Sequence, residues 1–295
     1  THTDAQALKE AGAVALSDDG LPIQNANLMR DALIRCKRLG LTILSHCEDA
    51  DMVCNYAVNE GRVSRALDLP GRPAIAEELM VMRDAMLAEE TGAAVHICHI
   101  STAGSVDIVR QFKKRGTHIT CETCPQYFTL TEDEVLSQGA MARVNPPLRT
   151  KQDMEAIIAG LKDGTIDAIA TDHAPHSAQE KARTLTEAPS GMVGLETALA
   201  VTLTALYHTG EMDLSDILKK MTFNPACILG IPKGRLSLGG EADFTIFDPN
   251  EVWTVDPEQF ASKGRNTPFA GRELKGKVKY TIVGGKLVYE DKGGR

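Results

Sequence analysis

Two hydrophobic rhythms run along the chain. Up to about residue 230, short apolar runs alternate with longer segments whose apolar positions recur every three or four residues: GAVALS then NANLMRDALIRCKRLG, LTILS then a stretch through AEELMVMRDAMLAEETG, and AAVHICH then GSVDIVRQFKKRG. Each short run predicts a strand and each longer segment a helix, so the order predicts βα units around a parallel sheet. Residues 93–98 and 166–170 are almost continuously apolar, as expected of strands covered on both faces. After about residue 235 the rhythm shortens. GRLSLGGEADFTIFDPNEVWTV and GKVKYTIVGGKLVYED read as alternating strands between glycine turns, separated by a Pro-, Gly-, Lys- and Arg-rich loop over 256–275. The expected division is an α/β portion at 1–235 and an all-β portion at 236–295. LMVMRDAM has helical spacing and is expected to pack in the core.

Composition narrows the function classes. With 295 residues, 43% hydrophobic and 24% charged, the chain is long enough to bury a substantial core. A net charge of −8 leaves no basic stripe, so neither nucleic acid nor an anionic membrane surface is an expected partner. No apolar run approaches the roughly 20 residues that cross a bilayer, and THTDAQALKE has neither the basic start nor the apolar middle of a signal peptide. A cytoplasmic location is the expectation. The seven cysteines are scattered through apparent core segments, which suits reduced thiols better than a disulfide framework. Cys121 and Cys124 form a C-x-x-C without the second pair of a structural zinc site, and are expected to be structural.

The polar residue that follows each apolar run carries the chemical signal. Asp18 and Asp19 follow VALS, His46 follows TILS, His99 follows AVHIC, Glu122 follows HITC, and Asp172 follows AIAT. In a (β/α)₈ barrel the carboxyl ends of the strands converge on one mouth, so side chains distant in sequence meet there. Two imidazoles and two or three carboxylates in one pocket have the composition of a site for Zn²⁺ or a similar borderline ion. Taken singly, each has a plainer reading: Asp18-Asp19-Gly20 is a turn signal, and Glu122 caps or pairs.

SDDG at 17–20, SHCED at 45–49, HICHIST at 96–102, NPPLR at 145–149, ATDHAPH at 170–176 and SGMVGLET at 190–197 together resemble the bacterial class I dihydroorotase family, within the cyclic amidohydrolase superfamily. The resemblance runs essentially end to end, and GEADFTIFD and NTPFAG look like part of the small β-sandwich that accompanies these barrels. It implies a TIM-type (β/α)₈ barrel with two zinc ions per active site. On this match His46 and His99 hold one zinc, Asp19 bridges the pair, and Asp172 touches the other zinc and serves as general base and acid. Asp18 is the bridging candidate in the neighbouring register. Asn145, His176 and the backbone at Ser190 and Gly191 match substrate contacts. The implied reaction interconverts N-carbamoyl-L-aspartate and dihydroorotate in pyrimidine synthesis. Hydantoinases, dihydropyrimidinases and allantoinases typically carry a carbamylated lysine at the bridge, and no lysine lies between Glu10 and Asn25 here. CETCPQYF nevertheless resembles those enzymes, so they stand as alternatives.

The chain departs from the family pattern at its start. An H-x-H-x-R element is expected on the first barrel strand, and His2 in THT does not supply it. About five of the eight barrel strands are legible, so the barrel and the sandwich are expected to be incomplete in this chain, and the chain alone to be doubtful as a catalyst. A barrel short of three strands exposes unpaired edges. The expected partners are the small substrate, a second copy of the chain and aspartate carbamoyltransferase, for which a non-catalytic scaffold is the remaining alternative. SAQEKARTLTEAP at 177–189 reads as a mobile cover over the mouth, with an inert loop as the alternative, and Arg149 as a residue that pairs with nearby acids rather than a carboxylate clamp. Gly191-x-x-Gly194 lacks the lysine of a phosphate loop.

Overall fold

The computed structural model describes residues 3–54 and 56–293. His2 lies outside the described residues. The strands are β1 (Ala15–Ser17), β2 (Thr42–Ser45), β3 (Val58–Asn59), β4 (Gly71–Arg72), β5 (Val95–Ile97), β6 (Ile119–Thr123), β7 (Ala168–Ile169), β8 (Phe244–Thr254), β9 (Glu273–Val283) and β10 (Lys286–Glu290). Five form one parallel sheet in the order β1-β2-β5-β6-β7. Strand order follows chain order without the reversal that marks a doubly wound sheet, which is the winding of a TIM-type barrel wall.

A helix joins each neighbouring pair in that sheet: Ala26–Leu39, Ile75–Thr91, Ala103–Lys114 and Lys151–Lys162. Local chemistry fixes their ends. Asn25 accepts from the Leu28 amide at the start of Ala26–Leu39, and Gly40 closes that helix with φ 64°, a conformation that glycine adopts without a Cβ penalty. Thr150 and Asp153 form a reciprocal capping box at the start of Lys151–Lys162. Met29, Leu33 and Cys36 face inward at helical spacing and join the cluster that includes Ile43, Val95, Ile97 and Ile119. β5 and β7 are buried along their whole length, whereas β1, at the sheet edge, is half-exposed. In LMVMRDAM, Met80 is buried but Met86 is exposed, because the helix turns one side to solvent. That segment is therefore only partly core.

The C-terminal strands form a separate antiparallel sheet, β10-β9-β8. Gly284 and Gly285, at φ 55° and 75°, make the two-residue turn between β9 and β10, where both positions require the left-handed region. GRLSLGG does not form the strand expected of it: residues 234–240 are irregular, Leu236 and Leu238 are exposed, and no strand among the described residues pairs with them. The loop before β9 runs to Arg272 and returns to the mouth of the parallel sheet, where Asn266 meets residues 174, 176 and 191.

Candidate metal centre

Parallel register places the strand ends together. Ser17 pairs with Leu44 and Ser45 with Ile97, so the residues just past β1, β2 and β5 emerge side by side. They are Asp19, His46 and His99. His46 Nδ1 lies 2.9 Å from His99 Nε2, and Asp19 Oδ1 lies 3.3 Å and 3.8 Å from those two nitrogens. The two imidazoles are buried, His46 to 4% exposure, while the Asp19 side chain is 66% exposed. Asp19 thus closes the cluster from the solvent side.

This donor set fits a metal ion. The three ligand atoms fall within 4.8 Å of one another. Donors bound tetrahedrally to zinc at about 2.0–2.1 Å stand ~3.3 Å apart, close to the separations seen here. Two imidazole nitrogens facing each other need a proton or a cation between them. Electrostatics point the same way: burial alone would pull the His46 imidazole down, but the neighbouring carboxylates of Asp19 and Glu48 outweigh it and raise the pKa to about 9. The adjacent imidazoles of His46 and then His99 hold Asp19 far below the usual carboxylate range. The site favours positive charge at its centre.

The neighbouring residues divide into supports and bystanders. Asp18 does not face the imidazoles: Oδ1 accepts from the His46 amide at 2.8 Å and Oδ2 from the Ile23 amide at 2.8 Å. Glu122 pairs with His96 at 3.2 Å, the plainer of its two readings. Asp172 lies outside the group of three yet feels His99, Asp19 and His46, and burial in the first place pushes its pKa up. Both Asp172 and His99 have left-handed backbones, φ 46° and 33°, a strain of order 1–3 kcal/mol each that surrounding contacts must sustain. Asn145 Nδ2 lies 3.5 Å from His46 Nε2 and 3.3 Å from Glu48 Oε2, and Arg72 bonds both Glu48 and Asn145.

A second group gathers beside Asp172. His176 Nε2 meets the Ser190 carbonyl at 2.9 Å. Gly191 has φ 132°, and a Cβ there would fall 2.5 Å from that of Ala174 and 3.0 Å from His176 Nε2, so only glycine fits. Asn266, 2% exposed, accepts from the His176 amide and donates to the carbonyls of Ala174 and Gly191, each at 3.0 Å. Sequence reasoning passed over Asn266 within NTPFAG, and Glu48 within SHCED. The segment at 177–189, read as a cover or an inert loop, is held down at Lys181. It holds a capped turn, Ala178–Lys181, and Lys181 is buried with its ammonium on the carbonyls of Arg143 and Pro189 at 3.2 Å and 3.0 Å.

Residues 2–288 match the description "Amidohydrolase family". The chain belongs to the amidohydrolase family. Among its relatives, a protein named dihydroorotase from Pelotomaculum thermopropionicum is 54% identical over 97% of this chain and 67% of its own length. Another of that name, from Syntrophus aciditrophicus, is 50% identical over 96% of this chain and 66% of its own length. Of solved amidohydrolase structures, L-hydantoinase (dihydropyrimidinase) from Arthrobacter aurescens superposes with a TM-score of 0.86 at 26% identity, over 97% of this chain and 66% of that one. The chain thus spans about two thirds of the length of the relatives it matches. The hydantoinase likeness confirms the TIM-barrel amidohydrolase fold for the five-stranded wall, and identity to the two dihydroorotases is about twice as high.

Proposed function

We propose that this chain is the metal-binding portion of a dihydroorotase, a cyclic amide hydrolase that interconverts N-carbamoyl-L-aspartate and (S)-dihydroorotate in pyrimidine synthesis. The observation that carries the reading is the Asp19–His46–His99 cluster, an aspartate and two histidines at 4.8 Å or less, in a chain half-identical to proteins of that name. Asp19, His46 and His99 would hold one ion, and Asp19 with Asp172 would contribute to a second. Bound there, a divalent ion such as zinc supplies Lewis acidity toward an amide carbonyl and toward water.

The chain's own residues supply the rest. Asp172 takes a proton from the attacking water and hands it to the departing ring nitrogen; run backwards, the same carboxyl group serves ring closure. Asn145, with its amide beside His46, orients the substrate at the cluster, and His176 with the backbone at Ser190 and Gly191 receives the substrate carboxylate. Residues 1–235 are proposed as the barrel portion and 236–295 as the sandwich portion. The absence of a membrane-spanning helix among the described residues agrees with a cytoplasmic setting, and a second copy or an aspartate carbamoyltransferase is the proposed partner.

The deciding assay offers the full-length protein dihydroorotate, N-carbamoyl-aspartate, allantoin and hydantoin. Turnover of the first pair alone is expected. Turnover of allantoin or hydantoin with none of dihydroorotate would overturn the reading.

A further inference from the structure

Behind the metal cluster lies a buried charge pair that touches neither the donors nor any proposed substrate contact. Glu77, in the first turn of helix Ile75–Thr91, and Arg149, at the end of NPPLR, are both 4% exposed at the side chain. Their closest approach is 3.6 Å. Taking two charges out of water is costly, and an apolar pair of similar volume would often serve stability as well. A built polar core of this kind calls for a role in geometry.

Its contacts show which geometry. The Glu77 carboxylate collects the Ser101 amide at 2.9 Å, the Thr102 amide at 3.3 Å, the Ser105 hydroxyl at 2.8 Å and the Ser101 hydroxyl. All four belong to the chain immediately after His99, whose φ of 33° is uncommon for a residue that carries a Cβ. Arg149 donates from Nε to the same Ser101 hydroxyl at 3.1 Å, and from Nη1 to Asn59 Oδ1 and the Arg72 carbonyl, each at 2.9 Å. Asn145 stands four residues before Arg149, and the Arg72 side chain bonds Asn145 directly. One guanidinium and one carboxylate therefore join the His99 turn, the end of β4 and the loop that carries Asn145.

We propose that Glu77 and Arg149 are positioning residues that hold the left-handed His99 turn in place and fix His99 relative to Asn145. The inference rests on the reading of His99 as a metal ligand. Glu77 takes up the amides after the turn, so the strained residue cannot relax without unpairing buried donors. Arg149 ties the Ser101 hydroxyl to the neighbouring segments, so the turn cannot shift as a block.

The test measures zinc affinity of the metal-free protein by calorimetry, and the visible absorption of its cobalt(II) form, against thermal stability. Glu77→Gln is expected to weaken zinc binding about tenfold or more and to alter the cobalt spectrum. The charge-balanced double variant E77Q/R149M restores stability if the pair is merely a buried charge, and is expected to keep the weakened metal binding. Arg149→Lys, which retains the charge but loses the fork, is expected to fall between parent and double variant in affinity. His99→Ala is the control, with a loss of 100-fold or more expected. Parental zinc affinity in His99→Ala would overturn the ligand reading and the positioning role with it. Loss in His99→Ala with parental affinity and spectrum in E77Q/R149M would overturn the positioning role alone.

Discussion

His46 Nδ1 faces His99 Nε2 across 2.9 Å, with the Asp19 carboxylate over both and Asp18 turned away beneath them. Two adjacent aspartates therefore have separable duties. Asp19→Asn should lower zinc affinity by about 100-fold or more, with a smaller loss in the melting temperature of the metal-free protein, because the asparagine amide oxygen can still accept from an imidazole nitrogen. Asp18→Ala should do the reverse: it strands the amides of His46 and Ile23, destabilising by about 1–3 kcal/mol, with zinc affinity within tenfold of the parent. Calorimetric metal titration beside thermal unfolding reads both, and equal effects of the two substitutions would contradict the division.

Asp172→Asn keeps the volume and removes the proton acceptor. In the full-length protein, kcat for dihydroorotate should fall about 10²–10⁴-fold while the ion held by Asp19, His46 and His99 remains. Steady-state kinetics with metal analysis on the same preparation checks this, and a near-parental rate would remove Asp172 from the proton transfer.

Asn266 reaches the site from the C-terminal loop and satisfies three backbone groups, one buried and two half-buried, around His176 and Gly191. Asn266→Ala should destabilise by about 2–4 kcal/mol and raise KM for dihydroorotate about tenfold, with kcat and metal content changed far less. The split between KM and kcat is the diagnostic reading. A drop in kcat at constant KM would count against a role in substrate positioning.

Lys181, 3% exposed, has its pKa pushed down to about 8, first by burial and then by the Arg143 charge. Folded protein therefore releases this proton more readily than the unfolded chain does. The resulting penalty is complete below about pH 8 and fades as pH rises toward the ordinary lysine value of 10.5, so stability gains over that window. Relative to Lys181→Met, whose side chain does not titrate, the parent should gain about 1–2 kcal/mol between pH 7.5 and 10 by denaturant unfolding. A constant difference across that range would exclude the linkage.

Much of the wall of the fold was legible because its signal is local. Apolar runs at 93–98 and 166–170 became the buried β5 and β7. His46, His99 and Asp19 were marked by following an apolar run, and register in a parallel sheet then brings them together. GRLSLGG misled because alternation describes a strand only where another strand pairs with it, and residues 234–240 have no such partner among the described residues. The segment at 177–189 shows another limit: its polar sequence conceals a buried lysine whose acceptors, at 143 and 189, no local pattern announces.

By itself, the order of residues determined that apolar strands and amphipathic helices would alternate, and that imidazoles and carboxylates would stand at strand ends, since both follow from the period of side chains along one segment. Tertiary structure alone decided that Asp18 turns to the amides of His46 and Ile23, that Arg149 turns to Glu77, and that Asn266 crosses 90 residues of chain to fasten His176. Those outcomes depend on ångström-scale meetings between groups far apart along the chain. A hydrogen bond is made or lost over less than an ångström, and no neighbouring residue encodes that distance.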